Sequence, residues 1–374
     1  MKAKYLMLAM MAAVVSFGTM SCSSDDDTPT PNPINPVKTD VSNGLFVLGS
    51  GNTRAGIAGN LSYINYEKGV AVPGIFEAVN GKSIGRTSNK LLVYGSKLYI
   101  VVDRENTIWV TNKNTLVVER QLSTTSLLGE TLGVSPRSVV GEGGNIYFTT
   151  YGGIVAAVDT VNFQLVKTYT AGSYPDGLTV ANGFIYVANS DYGNGQNPSI
   201  SKIDLAAGTT KELRGEAITN PMHMLTVGNT AYFLDYGTYD ASWNQTGAGV
   251  RRINADDSVE RILDGTAMCT DGQSIFTVDA PYGASGIKYL IYNTTTKAIS
   301  EWTPVGIFSP AIIAADPVTG DIFIVSYQEN PSTGYAGYAL PSYTNQYKKD
   351  GSFVKKYTDT ATGPIDAIFN VDTK

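Results

Sequence analysis

The stretch Asn182-Gly-Phe-Ile-Tyr-Val-Ala-Asn189 decides the fold. An Asn-Gly turn signal opens onto a short run of β-branched and aromatic residues, the pattern of a buried strand entered from a tight turn. The unit recurs, centred on one aromatic, at Leu45-Phe46-Val47, Leu98-Tyr99-Ile100, Ile146-Tyr147-Phe148, Ala231-Tyr232-Phe233, Ile275-Phe276-Thr277 and Ile322-Phe323-Ile324. Together with Ile185-Tyr186-Val187 that makes seven copies. A period of about 40–50 residues with several strands per copy marks propeller blades, not a helical solenoid. The expected fold is all-β: a seven-bladed β-propeller with four-stranded antiparallel blades.

Blade four shows the strands most clearly, at residues 175–180, 184–189, 199–204 and 210–214 from the innermost to the outermost. Inner strands recur at 89–93, 136–140, 221–227, 267–269 and 310–314, and several open with Pro, which costs no ladder donor at a first position. Third strands end at Asn65, Asn112, Asp159, Asp204, Asn254 and Asn293. Asn and Asp suit that place because their side chains bond the backbone of the turn they begin. The chain enters the repeats at a second strand, 44–49, with no inner strand before it, and ends with a spare strand at 363–369. The last strand is therefore expected to complete blade one, which closes the ring and leaves no open sheet edge there. The propeller would occupy residues 42–374 as one domain.

Residues 1–21 pair Lys2 and Lys4 with an apolar run from Tyr5 to Gly18, too short for a bilayer core that needs about 20 residues. This is the pattern of a secretory signal. The small residues before Cys22 resemble a bacterial lipobox, which would make Cys22 the acylated first residue of the mature protein. Asp25, Asp26 and Asp27 follow directly and look like an acidic surface-export signal. The rest of residues 22–41 is rich in Pro, Thr and Asn and reads as an extended tether. The chain has two cysteines, and acylation of Cys22 would leave Cys269 without a disulfide partner. The formal charge is −6, and loss of Lys2 and Lys4 with the leader makes it more negative. No basic stripe appears, so nucleic acid is not an expected partner.

Topology says where function can sit. The loops between second and third strands share one ring face with the inter-blade loops, and that face is elaborated. Its long segments are 51–60, 191–198, 237–249, 281–286 and 329–342, with the inter-blade segments 80–88 and 123–135. Long loops on a rigid ring are where binding is usually placed. They carry Tyr192, Tyr236, Tyr239, Trp243, Tyr282, Tyr327 and Tyr335 among Asn and Gln residues, a combination suited to stacking on flat or polyhydroxylated ligands. Tyr239 and Trp243 are the first choice for such anchors, and loop packing is the competing role for each ring.

The only histidine, His223, begins an inner strand near the mouth of the central channel, where it could touch a ligand or serve as a satisfied channel residue. Arg137, Asp176 and Asp366 take comparable places. That is too few carboxylates for a channel calcium, and no H-E-x-x-H, C-x-x-C, G-x-S-x-G or P-loop spacing occurs. No catalytic residue, metal ligand or cofactor is assigned, and a non-catalytic binding protein is expected.

The segments Gly44-Leu-Phe-Val-Leu-Gly-Ser50, Gly59-Asn-Leu-Ser-Tyr-Ile-Asn65, Ser135-Pro-Arg-Ser138 and Tyr174-Pro-Asp-Gly177 resemble the YVTN/YncE-like propellers, in particular surface lipoproteins of Bacteroidetes. There is a more distant similarity to the BtuG-type lipoproteins that capture cobalamin. The resemblance implies an outer-membrane, lipid-anchored protein that binds a nutrient, a corrinoid being the sharpest guess, and delivers it to a TonB-dependent transporter. It transfers no binding residue. Two other functions stay open: a scaffold or adhesion propeller that holds a protein or glycan, and a propeller hydrolase or lyase.

Overall fold

The structure is a computed structural model that describes residues 41–190 and 197–370. The leader, Cys22, the acidic run, the tether up to residue 40, Tyr192 and residues 371–374 lie outside the described residues. Seven four-stranded antiparallel sheets form the blades of the ring. Blade four comprises Pro175–Ala181, Phe184–Asn189, Ser199–Asp204 and Thr210–Leu213, paired in chain order. In blade one the order is Val70–Val72, Asn60–Asn65, Gly44–Gly49, Pro364–Asn370, so the C-terminal strand is its inner strand. Leu45 lies opposite Phe369 and Leu48 opposite Asp366, the closure expected from the strand count at the two ends.

The repeated aromatic explains why the strands hold. Phe46, Tyr99, Tyr147, Tyr186, Tyr232, Phe276 and Phe323 are all buried. Each full burial of a large apolar side chain stabilises by about 1.5–3 kcal/mol, before conformational entropy is charged against it. The core is divided among the blade interfaces. Phe46 and Leu48 of blade one pack with Leu98 and Ile100 of blade two, and six further clusters repeat that arrangement around the ring. The seam between blades seven and one is one of them, with Phe323 and Val325 against Leu45, Val47 and Phe369.

Third-strand ends behave as expected with one exception. The Oδ1 atoms of Asn65, Asn112, Asp159, Asp204 and Asn293 each accept from backbone N–H groups two or three residues on. In blade five it is Asp256 that accepts from Ser258 N, while the Asn254 amide bonds the Ser258 hydroxyl and Arg252. Val41 is buried in the cluster between blades one and two, its N–H bonded to Asn114 O and its carbonyl to Asn370 Nδ2.

One of the elaborated segments, 123–135, is filled by the helix Thr124–Leu132, with a break at Gly129, and the helix Ile75–Asn80 precedes the 80–88 segment and buries Ile75 and Phe76. Inter-blade segments on this side thus serve as packing as well as loop.

The inner strands contain the feature that shapes the centre. Those of blades one, two, three, four and five have a register shift just after their opening residue, and that of blade seven has it after its second residue, Pro310. A bulge leaves a residue unpaired and re-aims its side chain. At the start of the shift stand Ile365, Asn89, Arg137, Asp176, Met222 and Ala311. Blade six, with Ala267–Thr270, has no such shift.

Candidate functional site

Two of the bulge residues meet. Arg137 Nη1 lies 2.9 Å from Asp103 Oδ2 and its Nη2 3.1 Å from Asp176 Oδ2. The Tyr151 hydroxyl donates to Asp176 Oδ2 at 3.2 Å, and the guanidinium stands 4.8 Å from the Tyr151 ring centre. Burial and the adjacent Asp176 carboxylate push the Tyr151 phenol up from its ordinary value. The Asp176 carbonyl accepts from Thr149 Oγ1, whose oxygen takes the N–H of Ser138. Arg137 and Asp176, both candidates for ligand contact, therefore neutralise each other and fill the blade-three and blade-four side of the channel.

The opposite side is open. A cavity of about 430 Å³ runs along the inner strands of blades one, two, five, six and seven. Of the sequence candidates, His223 and Tyr236 line it. Their side chains bond each other, His223 Nε2 to Tyr236 Oη at 3.1 Å, with the rings edge-on at 5.9 Å. His223 is partly buried, and desolvation lowers its pKa below the ordinary imidazole value. The charges of Asp176, Lys90, Asp366 and Arg137 all bear on it, in opposing senses. Asp366 is paired too, with Lys90 Nζ at 3.0 Å and the N–H of Leu91 at 2.8 Å. Among the described residues no cluster of three or more His, Cys, Asp or Glu side chains could hold a metal ion.

The loops of blades five, six and seven carry an aromatic belt. Tyr239 and Trp243 lie 6.3 Å apart, and Trp243 is 69% exposed. Tyr282 and Tyr335 are 60% and 77% exposed. Tyr327 ends the second strand of blade seven and packs edge-on at 4.9 Å on Tyr338, and burial pushes its phenol up to about 12. The belt continues down to Tyr236, whose phenol is raised by burial and by the proximity of Asp176, Tyr239 and Tyr327.

These loops are ordered by their own bonds. The blade-five loop forms a small hairpin, Thr238–Tyr239 against Gln245–Thr246. Asp240 caps its tip by accepting from Ser242 N and Asn244 N, and Trp243 is held there at φ 67°. A bulky residue in the left-handed region is uncommon and is sustained by surrounding structure. Gln245 ties the loop to blade six, its N–H donating to Tyr282 O at 2.8 Å and its Oε1 accepting from Tyr282 N at 3.2 Å. Gly283 makes that approach possible, because a Cβ there would strike Asn244 Oδ1. Asn52 Nδ2 reaches Tyr338 O and links the blade-one loop to that of blade seven.

Of the candidates, His223 and Tyr236 line the cavity, Tyr239 and Tyr327 are neighbours of Tyr236, Trp243 packs on Tyr239 and Tyr282 is bonded to Gln245 of the blade-five loop, while Arg137 and Asp176 are held in an ion cluster. Tyr335 stands at the outer end of the blade-seven loop, where Asn330 O accepts from the Gly334 N–H and Tyr335 O accepts from Asn330 N. Sequence reading passed over Lys90, Met268, Cys269 and Ala311, which line the cavity. Their signal, a position within an inner strand, was legible, but which residues of a strand face the channel was not, and for Lys90 and Ala311 it follows a bulge.

No protein-family model matches the chain, and a search of curated proteins returns no relative. Among solved structures, a protein of Bacteroides fragilis named as a candidate 6-phosphogluconolactonase aligns at 12% identity and TM-score 0.57, covering 90% of this chain and 99% of that one. A protein of Bacteroides uniformis named in the same way aligns at 12% identity and TM-score 0.56, covering 87% and 99%. The WD40 repeats of RRP9 align at 10% identity and TM-score 0.52, covering 73% and 81%. At such identities the likeness is one of architecture, and what it establishes is that this chain is built as a β-propeller.

Proposed function

We propose that the protein is a non-catalytic capture propeller that binds a small flat ligand on its loop-rich face. The observation that carries the reading is the aromatic belt of blades five to seven, partly exposed, held by hairpin and inter-loop bonds, and next to Tyr236 of the channel cavity. Rigid exposed rings beside amide groups gain stacking energy at little entropic cost. A corrinoid is the leading identity, on the sequence resemblance to cobalamin-capturing lipoproteins. The leader with Cys22 and its three aspartates supports a lipid-anchored protein on the outer-membrane surface, which would hand the ligand to a TonB-dependent transporter. Among the described residues no helix is long and apolar enough to cross a membrane.

The test is calorimetric titration of cobalamin into the protein and into its Trp243→Ala and Tyr239→Ala variants, with melting curves in parallel. Each truncation is expected to cost about 1–3 kcal/mol of binding and to change stability by less than about 0.5 kcal/mol. Unchanged affinity in both variants would move the site off this face. Absence of cobalamin binding to the parent protein would remove the corrinoid assignment.

A further inference from the structure

The channel cavity differs chemically from the loop rim. Its wall includes Met224, Met268 and Cys269, which are polarisable and apolar, the small residues Ala267 and Ala311, and the uncharged polar residues Asn89, Thr266 and Thr270. Ala311 holds the bulge position that Arg137 and Asp176 hold in blades three and four, so the space those side chains would fill is left open. The charges on the wall are already committed: Lys90 Nζ lies 3.0 Å from Asp366 Oδ1, and Asp366 Oδ2 accepts from Leu91 N. Near the loop face, His223 and Tyr236 offer hydrogen-bonding atoms.

We propose that this cavity is a binding site in its own right, for an uncharged, mainly aliphatic small molecule or ligand arm carrying one hydrogen-bonding group. About 430 Å³ falls within the ordinary range of small-molecule pockets. A charged guest would lose its hydration and find no free counter-charge, whereas an apolar chain gains from leaving water. Desolvation acts on the wall itself in the same sense, lowering the His223 pKa and raising that of the Cys269 thiol. The site does not depend on ligand capture by the rim.

Cys269 is a built-in reporter. The full-length protein is treated with methyl methanethiosulfonate, and modification at Cys269 is followed by peptide mass spectrometry with hexanamide, hexanoate or hexylammonium present. At about ten times its dissociation constant, hexanamide should slow the modification roughly tenfold through occupancy alone. The two charged analogues at the same concentration should leave the rate unchanged. Ala311→Trp, which fills the cavity, should abolish hexanamide binding in saturation-transfer NMR, and Trp243→Ala should preserve it. Lack of protection by hexanamide, or equal protection by hexanoate, overturns the proposal without recourse to any variant. Loss of protection in Trp243→Ala would overturn its independence from the rim.

Discussion

The two sides of the channel start from the same strand and the same bulge, and they end as opposites. In blades three and four the bulge places Arg137 and Asp176, which with Asp103 and Tyr151 close the space by charge pairing. In blades one and seven it places Ile365 and Ala311, and the space stays open. Exposed rings occur at Tyr239, Trp243, Tyr282, Tyr335 and Tyr338 in the loops of blades five to seven, and Tyr174 is exposed beside Tyr151 on the paired side. A propeller can thus keep its repeat for stability and vary single positions to decide which side stays fixed and which receives a ligand.

The largest test acts on the strand that joins the two sides. A chain ending at Thr362 lacks Pro364–Asn370, so blade one loses its inner strand and both Gly44–Gly49 and the blade-seven cluster lose their cover. Loss of a single cooperative melting transition, or aggregation, is the expected outcome in calorimetry, and a melt like that of the full chain would break the closure. Next, Arg137→Met should cost about 3–5 kcal/mol in urea unfolding, because two largely buried carboxylates lose their counter-charge. Met222→Ala, at the equivalent bulge position, should cost about 1 kcal/mol or less. Equal losses at the two positions would erase the contrast between closed and open sides.

The smallest effect concerns pH. His223 is protonated less readily in the fold than in the unfolded chain. Between its lowered value and the ordinary value near 6.5, the unfolded state binds more protons, so stability rises with pH through that window. The contribution is complete above about pH 6.5 and is lost as pH falls toward the folded value. His223→Gln should flatten the slope of unfolding free energy between about pH 5 and 6.5, above the range where ordinary carboxylates titrate. An unchanged slope would mean that protonation of His223 is not resisted by the channel.

Legibility differed by level. Blade number, strand positions, ring closure and the turn roles of Asn65, Asn112, Asp159, Asp204 and Asn293 were readable because each is local: a two-residue side-chain period, a turn signal, a count of strands. The bond between His223 and Tyr236 on the cavity wall was readable only as far as their nearness to the channel mouth. That Arg137 and Asp176 would bond each other was not readable, since they lie in different blades and their meeting depends on two bulges. The helices Ile75–Asn80 and Thr124–Leu132 escaped notice because short segments give little periodicity to read.

The sequence by itself determined the repeat, the closed ring and the face on which the loops and their aromatics would gather, because hydrophobic period and chain topology act through neighbours along the chain. Only the tertiary structure decided which channel residues are neutralised, which side of the channel is empty, and that the ring of Trp243 stands free while that of Tyr327 is packed. Those outcomes depend on contacts between blades far apart in sequence, where a bulge of one residue turns a side chain toward the channel and a partner from the next blade either fills the space or leaves it open.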